Sequence, residues 1–241
     1  MKALIIAAGD GTRLSKYTKT LPKSLLKING KTILETILTN CKSLGIKDFV
    51  IVTGYLQERF RKFLTENIIN KMGINVEFVS NPYFEKENGI SAYCAKDVLK
   101  NEKNFLLLMS DHIFHPSLLK TLLTVKIDNG CALAIDKNIS EIYDIEDATK
   151  VYEVKGKIKD IGKNLKSFNA VDTGFFLCTP ELFTALEKQI NKGNDKLSDA
   201  MRFLAKKGNL ASVDVSGKFW LDIDTERDLE FAKHRISKIT G

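Results

Sequence analysis

The N-terminal residues constrain the fold of this chain most. Lys2–Ala8 is an apolar run that leads without interruption into Gly9-Asp10-Gly11-Thr12-Arg13-Leu14, and Leu21-Pro22-Lys23 follows shortly after. A buried strand that ends in a glycine-rich turn is the opening of an α/β unit, not of a helical bundle. Glycines also let backbone N–H groups approach a ligand's oxygens closely, so a loop of this kind can wrap a polyphosphate. Arg13 and Lys23 supply positive charge beside it.

Two common phosphate loops do not fit. No G-x-x-x-x-G-K-[ST] run follows the strand. The dinucleotide fingerprint G-x-G-x-x-G is incomplete, because Leu14 stands where its third glycine belongs.

Along the first half, strand-like runs at 3–8, 49–53, 76–80, 105–110 and 131–136 alternate with helical patterns at 33–44, 57–72, 91–99 and 117–125. Alternation with short connections predicts a mostly parallel, twisted sheet covered by helices on both faces. Ligands of such sheets bind beyond the carboxyl ends of the strands. The glycine loop, Gly54-Tyr55, Asn81-Pro82 and Asp111-His112 all fall there and should converge. The second half reads as a hairpin, 149–154 and 157–161 around Lys155-Gly156, then a strand at 172–178. Helices at 180–191 and 198–207, the latter capped by Ser198, precede a strand at 210–215 and a closing helix at 225–238. These mixed strands predict an acceptor-binding subregion built onto the same sheet. No low-complexity linker and no internal repeat divides the chain, so one domain over 1–241 is expected.

The net charge is +7, but the lysines are dispersed among acids with no run of five or six basic residues. That distribution argues against nucleic-acid binding and suits anionic small substrates. No apolar window reaches the length of a membrane span, and Met1-Lys2 leads directly into a strand without a cleavage site, so a cytoplasmic protein is expected. Cys41, Cys94, Cys131 and Cys178 have no CxxC spacing and read as buried free thiols. His112-x-x-His115 and His234 lack zinc spacing, so no zinc is expected.

Several acids and amides stand at predicted strand ends. Asp111 ends a buried strand, where a carboxylate can meet a Mg²⁺ carried by a triphosphate. In Trp220-Leu221-Asp222-Ile223-Asp224-Thr225, two carboxylates two residues apart would share one face of a strand and meet Asp111 around one metal. Asp224-Thr225 is equally a helix N-cap before Glu226 and Asp228. Asn88 can read the edge of a base, and Gly89 would allow base or ribose to pass closely; a plain helix start capped by Ser91 is the alternative.

The combination A-A-G-x-G-T-R-L followed by P-K, as it stands in Ala7–Leu14 and Pro22-Lys23, resembles the opening motif of the nucleotidyltransferases, enzymes that activate phosphates with an NTP. The resemblance implies their Rossmann-like fold and metal-holding acids at Asp111 and in the late W-x-[DE] run. Sugar-activating members have Gly where Asp224 stands, whereas phosphocholine members carry acids at both places, so Asp222 and Asp224 remain joint candidates. The runs Asn88–Ser91, Ser110–His112, Asp147–Lys150, Lys159–Leu165, Val171–Phe176 and Trp220–Thr225 are similar to the cytidylyltransferase half of archaeal and thermophile enzymes that make CDP-inositol from inositol 1-phosphate and, in a fused half, di-inositol-phosphate-phosphate. That family implies CTP and inositol 1-phosphate as substrates and Mg²⁺ as cofactor. The chain would be the stand-alone half, its product passing to a separate membrane-bound CDP-alcohol phosphotransferase. Nothing in the sequence fixes an oligomeric state.

The roles implied are these. Ala7, Ala8, Gly9, Gly11, Thr12 and Arg13 cradle the nucleotide, with Arg13 on the β and γ groups. Lys23 stabilises the α-phosphate, and Asn88 and Gly89 with Ala7 address base and ribose. Asp111 with Asp222 or Asp224 holds Mg²⁺. Lys150 grips the acceptor phosphate, and Asp136 and Asp172 take acceptor hydroxyls. A phosphocholine or hexose 1-phosphate acceptor is the nearest alternative, the former drawing on Tyr83, Phe84 and Tyr93 for a quaternary amine. A non-catalytic nucleotide sensor is a further class, but it should have lost the arginine, lysine or acids that this chain retains.

Overall fold

The structure, a computed structural model, describes residues 1–239. Its strands are β1 (Lys2–Ala7), β2 (Lys27–Ile28), β3 (Lys31–Thr32), β4 (Asp48–Thr53), β5 (Asn75–Ser80), β6 (Phe105–Met109), β7 (His112–Phe114), β8 (Cys131–Asp136), β9 (Lys150–Val154), β10 (Lys157–Gly162), β11 (Ala170–Cys178), β12 (Leu210–Asp214) and β13 (Trp220–Asp222). Its helices are α1 (Ser15–Thr18), α2 (Ile33–Ser43), α3 (Gln57–Leu64), α4 (Asn70–Met72), α5 (Asn88–Cys94), α6 (Lys96–Leu99), α7 (Ser117–Leu122), α8 (Glu181–Ile190), α9 (Leu197–Lys206) and α10 (Glu226–Ile239). A wide turn over Thr65–Ile69 joins α3 to α4, so the helix expected over 57–72 is one helical run with a bulge.

Nine strands form one sheet in the order β5-β4-β1-β6-β11-β8-β12-β10-β9. The α/β class is as expected. The sheet is parallel from β5 through β6 and again between β8 and β12. β11 runs antiparallel between β6 and β8, and β9 and β10 close the far edge antiparallel. The late strands therefore extend the sheet rather than form a separate layer.

Alternation along the strands builds two cores. Ala3, Ile5 and Ala7 face one side with α2, α3, α7 and α10, while Leu4 and Ile6 face the other with α5, α6, α8 and α9. Helix periodicity matches: Leu197, Ala200, Met201, Leu204 and Ala205 make the buried stripe of α9. α2 opens with a reciprocal cap, in which Glu35 N–H donates to Thr32 Oγ1 at 3.0 Å and Thr32 N–H to Glu35 Oε2 at 3.4 Å.

Local starts differ from expectation at two helices. α9 begins at Leu197, whose N–H donates to Asn88 Oδ1 at 2.9 Å, so Ser198 lies inside the helix and a side chain distant in sequence supplies the cap. α5 begins at Asn88, and Ser91 lies inside it, buried, its Oγ accepting from Asn81 Nδ2 at 2.9 Å. The four cysteines are free; Cys41, Cys131 and Cys178 are buried and Cys94 is half-buried.

Leu107 lies wholly buried in the middle of β6, between β1 and β11. Leu107→Ala should cost about 2–5 kcal/mol, the usual price of such a cavity. Urea unfolding should show a lower midpoint at unchanged slope.

Candidate active site

The carboxyl ends of the parallel strands carry the site. After β1 the backbone turns through Gly11 at φ +63°, where a Cβ would press on Lys23 Cβ at 3.0 Å and Thr18 Cγ2 at 3.1 Å. Thr18 Oγ1 donates to Gly11 O at 3.0 Å and fixes the turn. A Cβ on Gly9 would meet nothing within 4 Å, so the loop there faces open space. Pro22 then directs Lys23 into a short turn whose side chain points inward.

Lys23 is the centre of a charge cluster. Its Nζ donates to Asp111 Oδ2 at 2.8 Å and to Asp224 Oδ1. Asp224 Oδ2 in turn accepts from Arg13 Nη2, and Arg13 Nη1 donates to Asp147 Oδ2 at 2.8 Å. Burial would lower the Lys23 ammonium, but Asp111, Asp222 and Asp224 outweigh it and raise it above its ordinary range. Burial would raise Asp111, but Lys23 and His112 hold it well below the usual carboxylate range.

The two-stranded ladder β7–β13 brings the late acids to Asp111. Asp222 pairs with His112 in register, and Ile223 N–H donates to Asp111 O at 3.0 Å. His112 Nδ1 is 2.8 Å from Asp111 Oδ1 and 3.8 Å from Asp222 Oδ1. The ring stacks on Trp220 and meets Phe175 edge-on; Gly174, at φ +81°, leaves it room, since a Cβ there would lie 2.6 Å from Nε2. Burial would lower the imidazole, but Asp222 and Asp111 raise it to about 9.

The geometry separates the two late acids. β13 ends at Asp222, so the shared-face argument does not carry Asp224. Asp222 Oδ1 is buried without a hydrogen-bond partner among the described residues, and burial together with Asp111 pushes this carboxyl up to about 7. Ligand atoms of Asp111, His112 and Asp222 lie within 4.8 Å of one another. An orphaned buried carboxylate oxygen beside a second carboxylate is what a hard divalent cation takes. Asp224 is instead engaged by Lys23 and Arg13. Nor is it the helix cap: Thr225 Oγ1 accepts from Asp228 N–H at 3.3 Å, and Asp228 Oδ2 accepts from the N–H groups of Asp224 and Thr225.

Two clefts meet at this cluster, sharing Arg13, Asn88, Asp111 and Asp224 on their walls. The smaller is lined by Ala7, Gly9, Gly11, Thr12 and Lys23 as well. The larger, of about 760 Å³, is the size of a ligand site and runs past His112, Asp136, Asp172 and Asp222 to Lys163 and Arg202. Asp172 sits at a bulge in β11, where pairing with β8 slips between Asp172 and Phe176, and it faces this cleft.

Other expected residues are placed differently. Ala8 lies outside both linings; it is buried, and its carbonyl accepts from Tyr55 N–H at 3.0 Å. Gly89 does not face a ligand space: its missing side chain makes room for the backbone of Asp195–Leu197, with Asp195 O 2.4 Å from where a Cβ would stand. Asn88 lines both clefts, but its Oδ1 is committed to Leu197, which leaves its amide nitrogen. Asp136 lines the larger cleft, while one oxygen accepts from Asn138 N–H and the other from Trp220 Nε1. Lys150 stands apart from the expected acceptor position: its Nζ donates to Glu146 O at 2.8 Å, and it lines neither cleft. Lys163 does line the larger cleft, with Arg13, Lys196, Arg202, Lys218 and Arg235, and its Nζ donates to Asp147 Oδ1 at 2.6 Å. Of the aromatic residues Tyr83, Phe84 and Tyr93, Phe84 alone lines a cleft, so they do not enclose a quaternary amine. Sequence reasoning sets His112 aside for lack of zinc spacing and gives no role to Asp147 or Lys163. The run Lys159–Leu165 carries part of the resemblance, but spacing alone does not say which of its lysines the strand end turns inward.

The nucleotidyl transferase family model matches residues 2–238. The chain belongs to the nucleotidyl transferase family. Within it, the chain is 38% identical over 237 residues to the bifunctional IPC transferase and DIPP synthase of Aquifex aeolicus, covering 98% of this chain and 52% of that protein. It is 32% identical to the protein of the same name from Thermococcus kodakarensis, covering 98% of this chain and 50% of that one. The chain thus spans about half the length of these relatives. A solved structure of the inositol-1-phosphate CTP transferase from T. maritima superposes with a TM-score of 0.86 at 27% identity, covering 99% of this chain and 95% of that one.

Burial pushes the Asp172 carboxyl up to about 6, although Gly174 N–H donates to it at 2.8 Å. An unfolded Asp titrates near 4, so the folded state takes up a proton between about 6 and about 4. The ionised carboxylate therefore costs stability above pH 6, and the cost fades as pH falls through that window. Asp172→Asn should raise Tm at pH 7.5 by about 2–4 °C for each kcal/mol relieved. Thermal melts should show the gain shrinking between pH 7.5 and 5, and a gain that does not change with pH contradicts the assignment.

Proposed function

We propose that this nucleotidyl transferase is a Mg²⁺-dependent CTP:inositol-1-phosphate cytidylyltransferase, giving CDP-inositol and pyrophosphate. The observation that carries the reading is the junction of the two clefts, where Lys23 and Arg13 meet Asp111, Asp222 and Asp224. The relatives named for IPC transfer, and the inositol-1-phosphate CTP transferase structure, favour this acceptor over phosphocholine or a hexose phosphate. One domain over 1–241, acting in the cytoplasm, completes the reading, with a membrane-bound CDP-alcohol phosphotransferase as consumer of the product.

A phosphomonoester has a second pKa near 6, so at pH 7 it is largely dianionic and attacks the α-phosphorus without a general base. What the protein must do is bring two anions together in line and balance charge on the oxygens in flight. Gly9, Gly11 and Thr12 present the loop to the triphosphate. Arg13 and Lys23 hold its oxygens, exchanging Asp224 for phosphate as the nucleotide enters. Asp111 and Asp222 would hold Mg²⁺. When bound, that ion supplies positive charge against the phosphate oxygens. Lys163 grips the acceptor phosphate, and Asp172 accepts from an acceptor hydroxyl.

The test is pyrophosphate release by the purified protein with Mg²⁺, crossing the four NTPs with inositol 1-phosphate, phosphocholine and glucose 1-phosphate. Release with CTP and inositol 1-phosphate above all other pairs is expected. Preference for another acceptor overturns the acceptor, and CTP binding without release from any pair favours the sensor.

Two substitutions test the roles. Lys23→Ala should lower kcat on the order of 10²–10³-fold with a small change in CTP affinity, as loss of a transition-state charge partner does. Lys163→Ala should raise the acceptor KM about tenfold, the worth of one charge-assisted contact, while Lys150→Ala leaves it within a factor of about two. The reverse pattern in steady-state kinetics restores Lys150.

A further inference from the structure

Arg202 is one of the cations on the larger cleft that the roles above leave unused, and a carboxylate and a glycine hold it in place there. It projects from the middle of α9, and its Nε donates to Asp160 Oδ1 at 2.7 Å. Asp160 stands just after a slip in the pairing of β9 with β10, between Ile158 and Asp160, and its Oδ1 also accepts from Ile161 N–H at 2.8 Å. A bulge re-aims the side chains that follow it. Here it holds the carboxylate that fixes the guanidinium plane.

Gly162 completes the arrangement. A Cβ at this position would lie 2.3 Å from Arg202 Nη2 and 3.3 Å from Cζ, so any side chain there would displace the guanidinium. Gly162 has no positive φ, and the backbone itself does not demand glycine. Lys163, which faces the cleft with Arg202 and Asp172, is the next residue. Nε is the Arg202 donor in use among the described residues, which leaves the four N–H groups of Nη1 and Nη2.

We propose that Arg202 determines acceptor specificity by donating to ring hydroxyls of the polyol attached to the phosphate that Lys163 holds. This deepens the cytidylyltransferase reading and rests on it. A planar fork of donors matches adjacent hydroxyl oxygens and gains nothing from an apolar ring. Its positive charge opposes a cationic tail such as choline. Gly162 is the space that this recognition requires.

Kinetics on wild type, Arg202→Met and Gly162→Ala test the proposal, with CTP and three acceptors: inositol 1-phosphate, cyclohexyl phosphate, which has the ring but no hydroxyls, and phosphocholine. Arg202→Met should raise KM for inositol 1-phosphate about tenfold, as loss of charged hydrogen bonds does, with kcat within about threefold. KM for CTP and for cyclohexyl phosphate should stay put, so discrimination between the two ring phosphates collapses. Gly162→Ala, whose new methyl meets only the movable end of Arg202, should reproduce the loss at unchanged Tm. Unchanged discrimination in both variants overturns the role of Arg202, as does equal use of the two ring phosphates by the wild type. A wild type that uses phosphocholine and not inositol 1-phosphate overturns the cytidylyltransferase reading itself, and that result is distinct from the other two.

Discussion

Lys23 is a buried ammonium, and an ammonium removed from water must be surrounded by anions or lose its proton. Asp111 supplies that surrounding from the end of β6, and Asp222 and Asp224 supply it from the end of β13. The placements follow from the sheet. β6 ends one residue before Ser110-Asp111, the β7–β13 ladder sets Asp222 opposite His112, and the cap of α10 by Thr225 and Asp228 leaves Asp224 free to turn toward β1. Lys23 reaches Asp111 and Asp224, and feels the charge of Asp222, because Gly11 turns the preceding loop tightly against it. Without the lysine, three carboxylates would face one another with His112 as the remaining buried cation.

The same balance links the two clefts. Asp147 accepts from Arg13 on one side and from Lys163 on the other, so the two cations share one carboxylate. Desolvation, by itself, raises Asp147, yet the two cations bring it below its ordinary range. Site and fold are coupled at Asn88 as well, because the amide that lines both clefts caps α9, the helix that carries Arg202.

Local signals were legible in the sequence wherever one segment decides the outcome. The glycine loop, Lys23 after its proline, Asp111 at a strand end and the hairpin around Lys155-Gly156 depend on periodicity and turn chemistry within a few residues. Placements that depend on distant segments were not. β11 inserts antiparallel between β6 and β8, and no periodicity announces a neighbour. Gly89 suits a ligand or a crossing backbone equally well, and the crossing Asp195–Leu197 segment lies a hundred residues away. Asp222 and Asp224 have the same residue type and spacing in either role; they differ because the strand ends between them. Lys150 and Lys163 are both flanking lysines, and only the tertiary path of the 137–149 connection shows that Lys150 is held by Glu146 O while Lys163 faces the cleft.

The central claim is that the unpartnered oxygen of Asp222 and the carboxylate of Asp111 form a divalent-cation seat beside Lys23 and Arg13. Electron paramagnetic resonance of Mn²⁺ titrated into protein plus CTP tests it most directly, comparing wild type with Asp222→Asn. The account predicts that wild type removes free Mn²⁺ from the spectrum in a CTP-dependent way, and that Asp222→Asn weakens this about tenfold or more without any fall in Tm, as loss of one charged ligand requires. Equal Mn²⁺ uptake by the two proteins would contradict it.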